Sequence, residues 1–206
     1  MKGVDMDRQK IKAEAKRIIK GNLGTILKPY GIILLIGIAV GLVTGVLGTD
    51  TVAGNIVSYA AEIAMLPLTF GYTVYLVKFV RNENPDTNEL FNYYSKIVPI
   101  FLLFFLIGIF TTLWTLLLII PGIIAAISYQ QAILIMIDGE EEPLECIKKS
   151  KKMMYGYKMD YFIFMLSFFG WMLLSILTFG LALIYVIPYI NVSEILYYEE
   201  LKKITK

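Results

Sequence analysis

Apolar residues in this chain gather into five long stretches divided by short polar segments, rather than alternating with polar ones. A helix needs roughly 20 apolar residues to cross a hydrocarbon core of about 30 Å. The first stretch, from about Tyr30 to Leu47, meets that need. The second, from about Ile56 to Val80, is long enough to tilt. A third covers Ile97 to Ile120, and Pro121-Gly122 turns the chain into a fourth, Ile123 to Ile137. The fifth covers Tyr161 to Leu177, and Gly180 opens a sixth that runs to about Tyr198. The pattern predicts an all-α, polytopic membrane bundle of six transmembrane helices. It forms one integral domain over residues 1–206, with a basic segment at 1–29, the bundle at 30–198 and a short tail at 199–206.

The polar segments carry a second periodicity. Ile11, Ala15, Ile18 and Ile19 fall on one helical face, with Lys10, Lys12, Lys16 and Lys20 around the rest. Asp86 followed by Glu89 spells a capping box leading into Leu90, Phe91 and Tyr94. Pro143 suits a first helical turn after Glu142, and Leu144, Ile147 and Met154 then oppose Lys148, Lys149 and Lys152. Three amphipathic helices are therefore expected at the membrane surface, apolar face down. The unit of interfacial helix, span, tight turn and span occurs three times, a weak threefold repeat. Gly21-Asn22-Leu23-Gly24 follows a helix and reads as a helix stop.

Charge gives the orientation. Eight basic residues precede the first span, three lie between the second and third, five between the fourth and fifth, and three end the chain. The turns at Gly48 to Thr51, Pro121-Gly122 and Thr178 to Leu181 carry none, and Asp50 is their one formal charge. Cytoplasmic loops collect Lys and Arg. The expected placement is the cell membrane, multi-pass, with both termini cytoplasmic and those three turns outside. The chain is 57% hydrophobic and 17% charged, outside the range of a soluble domain. The basic residues serve orientation and anionic lipid, so nucleic acid is not an expected partner. The apolar stretch from Gly31 lies too far from the start to be a cleavable signal peptide.

Catalytic chemistry is scarce. There is no histidine, which removes the commonest general base near neutral pH. With a single cysteine, Cys146, zinc sites of the Cys and His kinds and disulfides are not expected. No phosphate-binding GxxxxGK[ST] loop is present. No cofactor and no enzymatic activity are expected.

What stands out is intramembrane polarity. Glu62 and Glu194 lie within spans, where carboxylates are costly and usually face the bundle interior or water. With Gln130, Gln131 and Asn191 they form a candidate intramembrane polar site. The two readings are interhelical hydrogen bonding and a substrate, ion or partner site. Adjacent glutamines point about 100° apart, so at most one faces a given neighbour. Thr111, Thr112 and Thr115 can bond their own helix's carbonyls. Gly37, Gly41 and Gly45 suggest a close helix contact, within the bundle or in a homodimer. Lys148, Lys149, Lys151 and Lys152 form the candidate contact for anionic lipid or a protein partner, and Ser150 inside the cluster could weaken lipid attraction if phosphorylated.

The stretch LLLIIPGIIAAISYQQAILIMID, then PLECIKKSKKMMYGYKMDYFIFMLSFFGWMLLSILTFG, then VIPYINVSEILYYEEL, resembles the bacterial domain-of-unknown-function family numbered 975, six-span membrane proteins. The earlier AKRIIKGNLG and ELFNYY segments share the resemblance. The second half is also similar to the membrane domain attached to some glycerophosphodiester phosphodiesterases. The resemblance implies an all-helical bundle and supplies no catalytic residues. Two functions remain in view. One is an accessory, scaffold or envelope component acting through membrane lipids or a membrane protein partner. The other is a small-solute or lipid transporter with a polar intramembrane cavity.

Overall fold

Nine α-helices and one 3₁₀ helix account for the secondary structure of the described residues, which contain no strand. They are α1 (Arg8–Leu47), α2 (Val52–Val80), the 3₁₀ helix (Thr87–Lys96), α3 (Ile97–Leu117), α4 (Ile119–Tyr129), α5 (Ala132–Ile137), α6 (Pro143–Met153), α7 (Lys158–Leu166), α8 (Phe169–Leu177) and α9 (Leu183–Ile204). This computed structural model describes residues 6–48 and 51–205; Lys2, Asp50 and Lys206, used above for orientation, lie outside the described residues. Five helical stretches are long and apolar enough to cross a membrane: Arg8–Leu47, Val52–Val80, Thr87–Leu117, Ile119–Ile137 and Lys158–Leu177. The expected sixth span forms as α9, but Asn191, Glu194, Glu199 and Glu200 dilute its apolar character and it is not among the five.

The chain divides into two compact units. One runs from Asn22 to Phe101, and the other joins the stretch up to Gly21 with Leu102 onward. The division falls where α1 breaks: Asn22 has φ −137° and ψ 25°, inside the Gly-Asn-Leu-Gly stop.

In the Asn22–Phe101 unit, Thr51 caps α2 by accepting from Gly54 N–H. The Asp86–Glu89 capping box is in place, but it starts a 3₁₀ helix rather than an α-helix. That helix lies flat on α2. A Cβ at Gly71 would come within 2.5 Å of the Leu90 carbonyl oxygen, so only glycine allows this approach. Lys78 pairs with Glu89 at 2.6 Å, and Tyr94 donates to the Ala64 carbonyl at 3.0 Å. Tyr75 donates to the Thr25 carbonyl at 3.1 Å. Of the two contacts expected of the glycine stripe of α1, the one within the bundle is not made: a Cβ at Gly37, Gly41 or Gly45 meets nothing within 4 Å among the described residues.

In the other unit the α3–α4 turn is made by Leu118, extended at φ −161° and ψ 145°, three residues before the expected Pro121-Gly122. Pro121 instead occupies the first turn of α4, where its missing N–H is no loss. Gly122 is where the two helices meet, since a Cβ there would lie 2.8 Å from Thr115 Cα. Thr115 bonds the Thr111 carbonyl as expected, whereas the buried Thr111 hydroxyl has no partner. The fourth span is longer than expected and breaks at Gln130-Gln131. The fifth breaks at Ser167-Phe168. An aromatic chain runs through the core of this unit from Tyr161 to Tyr197, Phe164, Phe168 and Tyr189, with consecutive ring centres 4.9–5.3 Å apart; all meet edge to face except the tilted Tyr197–Phe164 pair.

Candidate functional site

Helix α6 starts as the sequence dictates: Glu142 at the N-cap, Pro143 in the first turn, Glu145 beside it, and Lys151 and Lys152 in the last turn. Acids at the start and bases at the end both suit the helix dipole. Its buried face is Cys146, Ile147 and Ser150, continued by Met154. Leu144, expected on that face, is exposed.

Ser150 is the joint between α6 and the break in the fourth span. Its hydroxyl donates to the Ser128 carbonyl at 2.8 Å and accepts from Gln131 N–H at 3.1 Å. The side chain is fully buried. It therefore does not sit where a kinase could reach it, and the phosphorylation reading is set aside. Cys146 is buried as well, and its thiol donates to the Glu140 carbonyl at 3.4 Å. Burial pushes that thiol up to about 11.

The lysines face a cleft of about 950 Å³. Lys148, Lys149, Lys151, Lys152 and Lys202 rim it, with Ile135, Met153 and Tyr155 beneath. Three of the five lysines have carboxylate partners. Lys148 bonds Glu145 at 2.7 Å, Lys149 bonds Glu140, and Lys202 bonds Asp138 at 2.5 Å. The Lys149 ammonium holds the Glu140 carboxyl below its ordinary range and is itself raised by that bond. Tyr198 also donates to Asp138, at 2.8 Å, which fixes the end of α9. Lys151 and Lys152 are exposed and have no carboxylate partner among the described residues. The cleft thus offers two uncompensated ammonium groups above an apolar floor.

The polar candidates part company. Glu194 accepts from Gln130 Nε2 at 3.3 Å and from the Tyr161 hydroxyl at 2.9 Å, joining α9, α7 and the break in the fourth span. Gln131 turns the other way and is buried with neither amide atom partnered. Asn191 is half-buried and makes no side-chain hydrogen bond among the described residues. Glu62, on α2 in the other unit, is exposed rather than turned to an interior.

Two features were not anticipated. Tyr161, Tyr198, Lys202 and Asp138 belong to the sites, and only their position at span ends pointed that way. More surprising is the N-terminal helix. Lys12 donates to the Ser167 carbonyl and hydroxyl at 3.1 and 2.8 Å, satisfying the break in the fifth span, and lies 4.4 Å from the Phe168 ring centre. Lys16 lies over Trp171 and Tyr189 at 5.6 and 5.8 Å. Arg8 approaches Asp160 at 3.5 Å. These bases serve as contacts to α7, α8 and α9, with Ile11, Ala15 and Ile19 buried beside them. Trp171 packs against Tyr185 and Tyr189 and lies beneath Lys16.

No curated protein and no solved structure matches the chain, and the likeness to the glycerophosphodiester phosphodiesterase membrane domain has no support there. A family described as a protein of unknown function, DUF975, matches at residues 6–132 and again at 115–205. The two matches overlap across the α3–α4 turn and run nearly end to end, so the chain belongs to the DUF975 family.

Proposed function

We propose that this protein is a non-enzymatic component of the cell membrane, with both termini cytoplasmic, that acts by holding anionic lipid at the cytoplasmic face. The observation that supports this reading is the cleft rimmed by Lys151 and Lys152 over the apolar floor of Ile135 and Met153. An accessory or scaffold role follows, in which lipid bound beside α6 positions the protein or a membrane protein partner. A lysine near an anionic surface contributes about 1 kcal/mol. Changing Lys151 and Lys152 to Gln should then weaken anionic lipid binding by about 30-fold, roughly 2 kcal/mol. The test is thermal stabilisation of the full-length detergent-solubilised protein by added phosphatidylglycerol against phosphatidylcholine, at low and high salt. Equal stabilisation by both lipids, or no change in the double variant, would remove the reading.

A second reading, a small-solute or lipid transporter, draws on the Gln131 amide, buried with both polar atoms unpartnered. A polar cavity with a transported solute would give it partners. It requires Gln131→Leu to abolish a cellular phenotype while the melting temperature holds or rises.

A further inference from the structure

Hairpin tips that emerge into water usually carry polar side chains. The tip between α3 and α4 carries none: Leu116, Leu117, Leu118, Ile119 and Ile120 are consecutive and 68–79% exposed. At the tip between α8 and α9, Ile176, Leu177, Phe179 and Leu181 are 72–97% exposed. The α8–α9 turn bonds its own backbone throughout, and the α3–α4 turn does so in part, the Ile119 and Ile120 N–H groups having no acceptor among the described residues. Leu118 N–H reaches the Trp114 carbonyl at 3.1 Å, and Gly122 N–H reaches Leu118 at 3.2 Å. Phe179, Gly180 and Leu181 donate to Ile176, Ser175 and Thr178 at 2.8–3.1 Å, and Ala182 N–H reaches the Thr178 hydroxyl at 3.1 Å. Hydrocarbon demands a satisfied backbone, a condition that the α8–α9 tip meets.

Depth is set by charges further down. Lys149 and Lys151 flank Ser150 and are exposed, while Ser150 is bonded to Ser128 and Gln131. Lysines keep their ammonium groups in the headgroup layer or in water. Ser128 to Gln131 therefore lie within a side chain's length of the cytoplasmic headgroups. From that level the 11 residues of α4 rise only about 16 Å to the tip, half of a core about 30 Å thick. The last hairpin is clamped independently. Lys16 lies over Trp171 and Tyr189, and both Lys16 and its neighbour Arg17 are exposed. From Trp171 to Leu177 the rise is about 9 Å, and from Tyr189 to Leu183 it is the same.

We infer that the α3–α5 and α7–α9 hairpins enter from the cytoplasmic leaflet and turn back inside the bilayer, their tips seated among acyl chains. A full crossing would carry Lys12, Lys16 and the basic α6 into hydrocarbon. The charge pattern along the sequence is the same for either arrangement, because an uncharged tip holds no orientation signal. Length alone does not separate these hairpins from α2: α3 has 21 residues, about 31 Å, and keeps its tip at this depth only by running strongly tilted, while about 28 Å separates Gly71, where the 3₁₀ helix packs, from Val52. The inserted hairpins add volume to one leaflet only, and their partner is phospholipid acyl chain. This inference stands independently of the lysine cleft.

The test uses the full chain in liposomes, in a Cys146→Ser background, with one nitroxide label at Leu118, Phe179 or Val52. Collision with oxygen reports the bilayer centre, and collision with a water-soluble nickel chelate reports the surface. The expected result is oxygen-dominated relaxation at Leu118 and Phe179 and nickel access at Val52. Nickel access at Leu118 and Phe179 equal to that at Val52 would overturn the inference. So would their alkylation by an impermeant thiol reagent added outside intact cells. If a label at either tip lowers the melting temperature, Leu117 and Leu181 carry the label instead, with the same two outcomes.

Discussion

Replacing Ser150 with Ala removes one oxygen atom, and the structure sets the cost. That oxygen accepts from Gln131 N–H at 3.1 Å and donates to the Ser128 carbonyl at 2.8 Å, in a position with no solvent access. Gln131 N–H sits at a helix break and has no helical carbonyl to fall back on. Leaving a buried donor unpaired costs about 1–3 kcal/mol, and the second hydrogen bond contributes about 0.5–1.5 kcal/mol. The expected loss is therefore about 1.5–4.5 kcal/mol, large against the usual net stability of a folded chain. Ser175→Ala is the matched control. Its hydroxyl is also buried but bonds only the Trp171 carbonyl of its own helix, at 2.9 Å, so its removal should cost under about 1 kcal/mol. Ser150→Asp should be worse than Ser150→Ala, because it adds a buried charge with two carbonyl-rich neighbours. Unfolding of each full-length variant in mixed detergent, with SDS as denaturant, gives the three values. Equal losses for Ser150→Ala and Ser175→Ala would refute the idea that Ser150 joins α6 to the break.

Gly71→Ala places a methyl 2.5 Å from the Leu90 carbonyl oxygen and should cost about 1–3 kcal/mol, whereas Gly37→Ala meets nothing and should be neutral or slightly stabilising in the same unfolding assay. Cys146 should react with iodoacetamide far more slowly than a free thiol at pH 8. Its thiol stays protonated until about pH 11, so the rate should climb through pH 9–11 and jump on unfolding; fast labelling of folded protein at pH 8 would contradict its burial. Single cysteines at Thr51 and Asn84, in a Cys146→Ser background, should be labelled by an impermeant reagent from opposite sides of the membrane, and labelling from one side would break the orientation. Glu194→Gln keeps a partner for Gln130 and Tyr161, so its melting temperature should shift little, and Glu62→Gln, at an exposed site, should shift it less still; a normal melt with a lost envelope-stress phenotype would favour a transport site over interhelical bonding.

Several helix boundaries were legible from the residues alone. Asn22 in its Gly-flanked stop, the Asp86–Glu89 box and Pro143 after Glu142 each act within one turn, and local rules decide them. Breaks inside apolar runs were not legible. Nothing in QQAILIM or MLSFFGW departs from helical periodicity, and the breaks at Gln130-Gln131 and Ser167-Phe168 are held by Ser150 and Lys12, 19 and 155 residues away. The site divides on the same line. Lysines 148 to 152 were visible as a charge run, but which of them remain uncompensated depends on Glu140, Glu145 and Asp138, and on where α9 ends. Glu62 and Glu194 look alike in sequence, and only packing distinguishes the exposed one from the bonded one.

The threefold reading shows most clearly how a pattern along the chain can suggest the wrong pairing. Read along the chain, each amphipathic segment precedes two apolar helices, which invites its assignment to the pair that follows. In the structure the second and third segments each pack on a helix that comes before them. The 3₁₀ helix lies on α2 through Leu90 against Gly71, and α6 locks onto the α4–α5 break through Ser150. Among the described residues no amphipathic segment follows α9. The N-terminal half of α1 fills the place: Arg8 meets Asp160, Lys12 meets Ser167 and Lys16 meets Tyr189. This explains why the stretch up to Gly21 belongs with the C-terminal unit and why α1 must break at Asn22. It also explains the lysines on that helix. A segment serving only as a membrane tether would turn its bases to the headgroups, whereas one that must grip a broken helix needs a donor for the freed Ser167 carbonyl. Lys12→Met keeps the side-chain length and removes the donor, so it should loosen the N-terminal helix alone, seen as faster proteolysis between Arg8 and Lys20 with α2 and the 3₁₀ helix unaffected. Protection equal to that of the unmodified protein would show that apolar packing by Ile11, Ala15 and Ile19 holds the helix without the lysine.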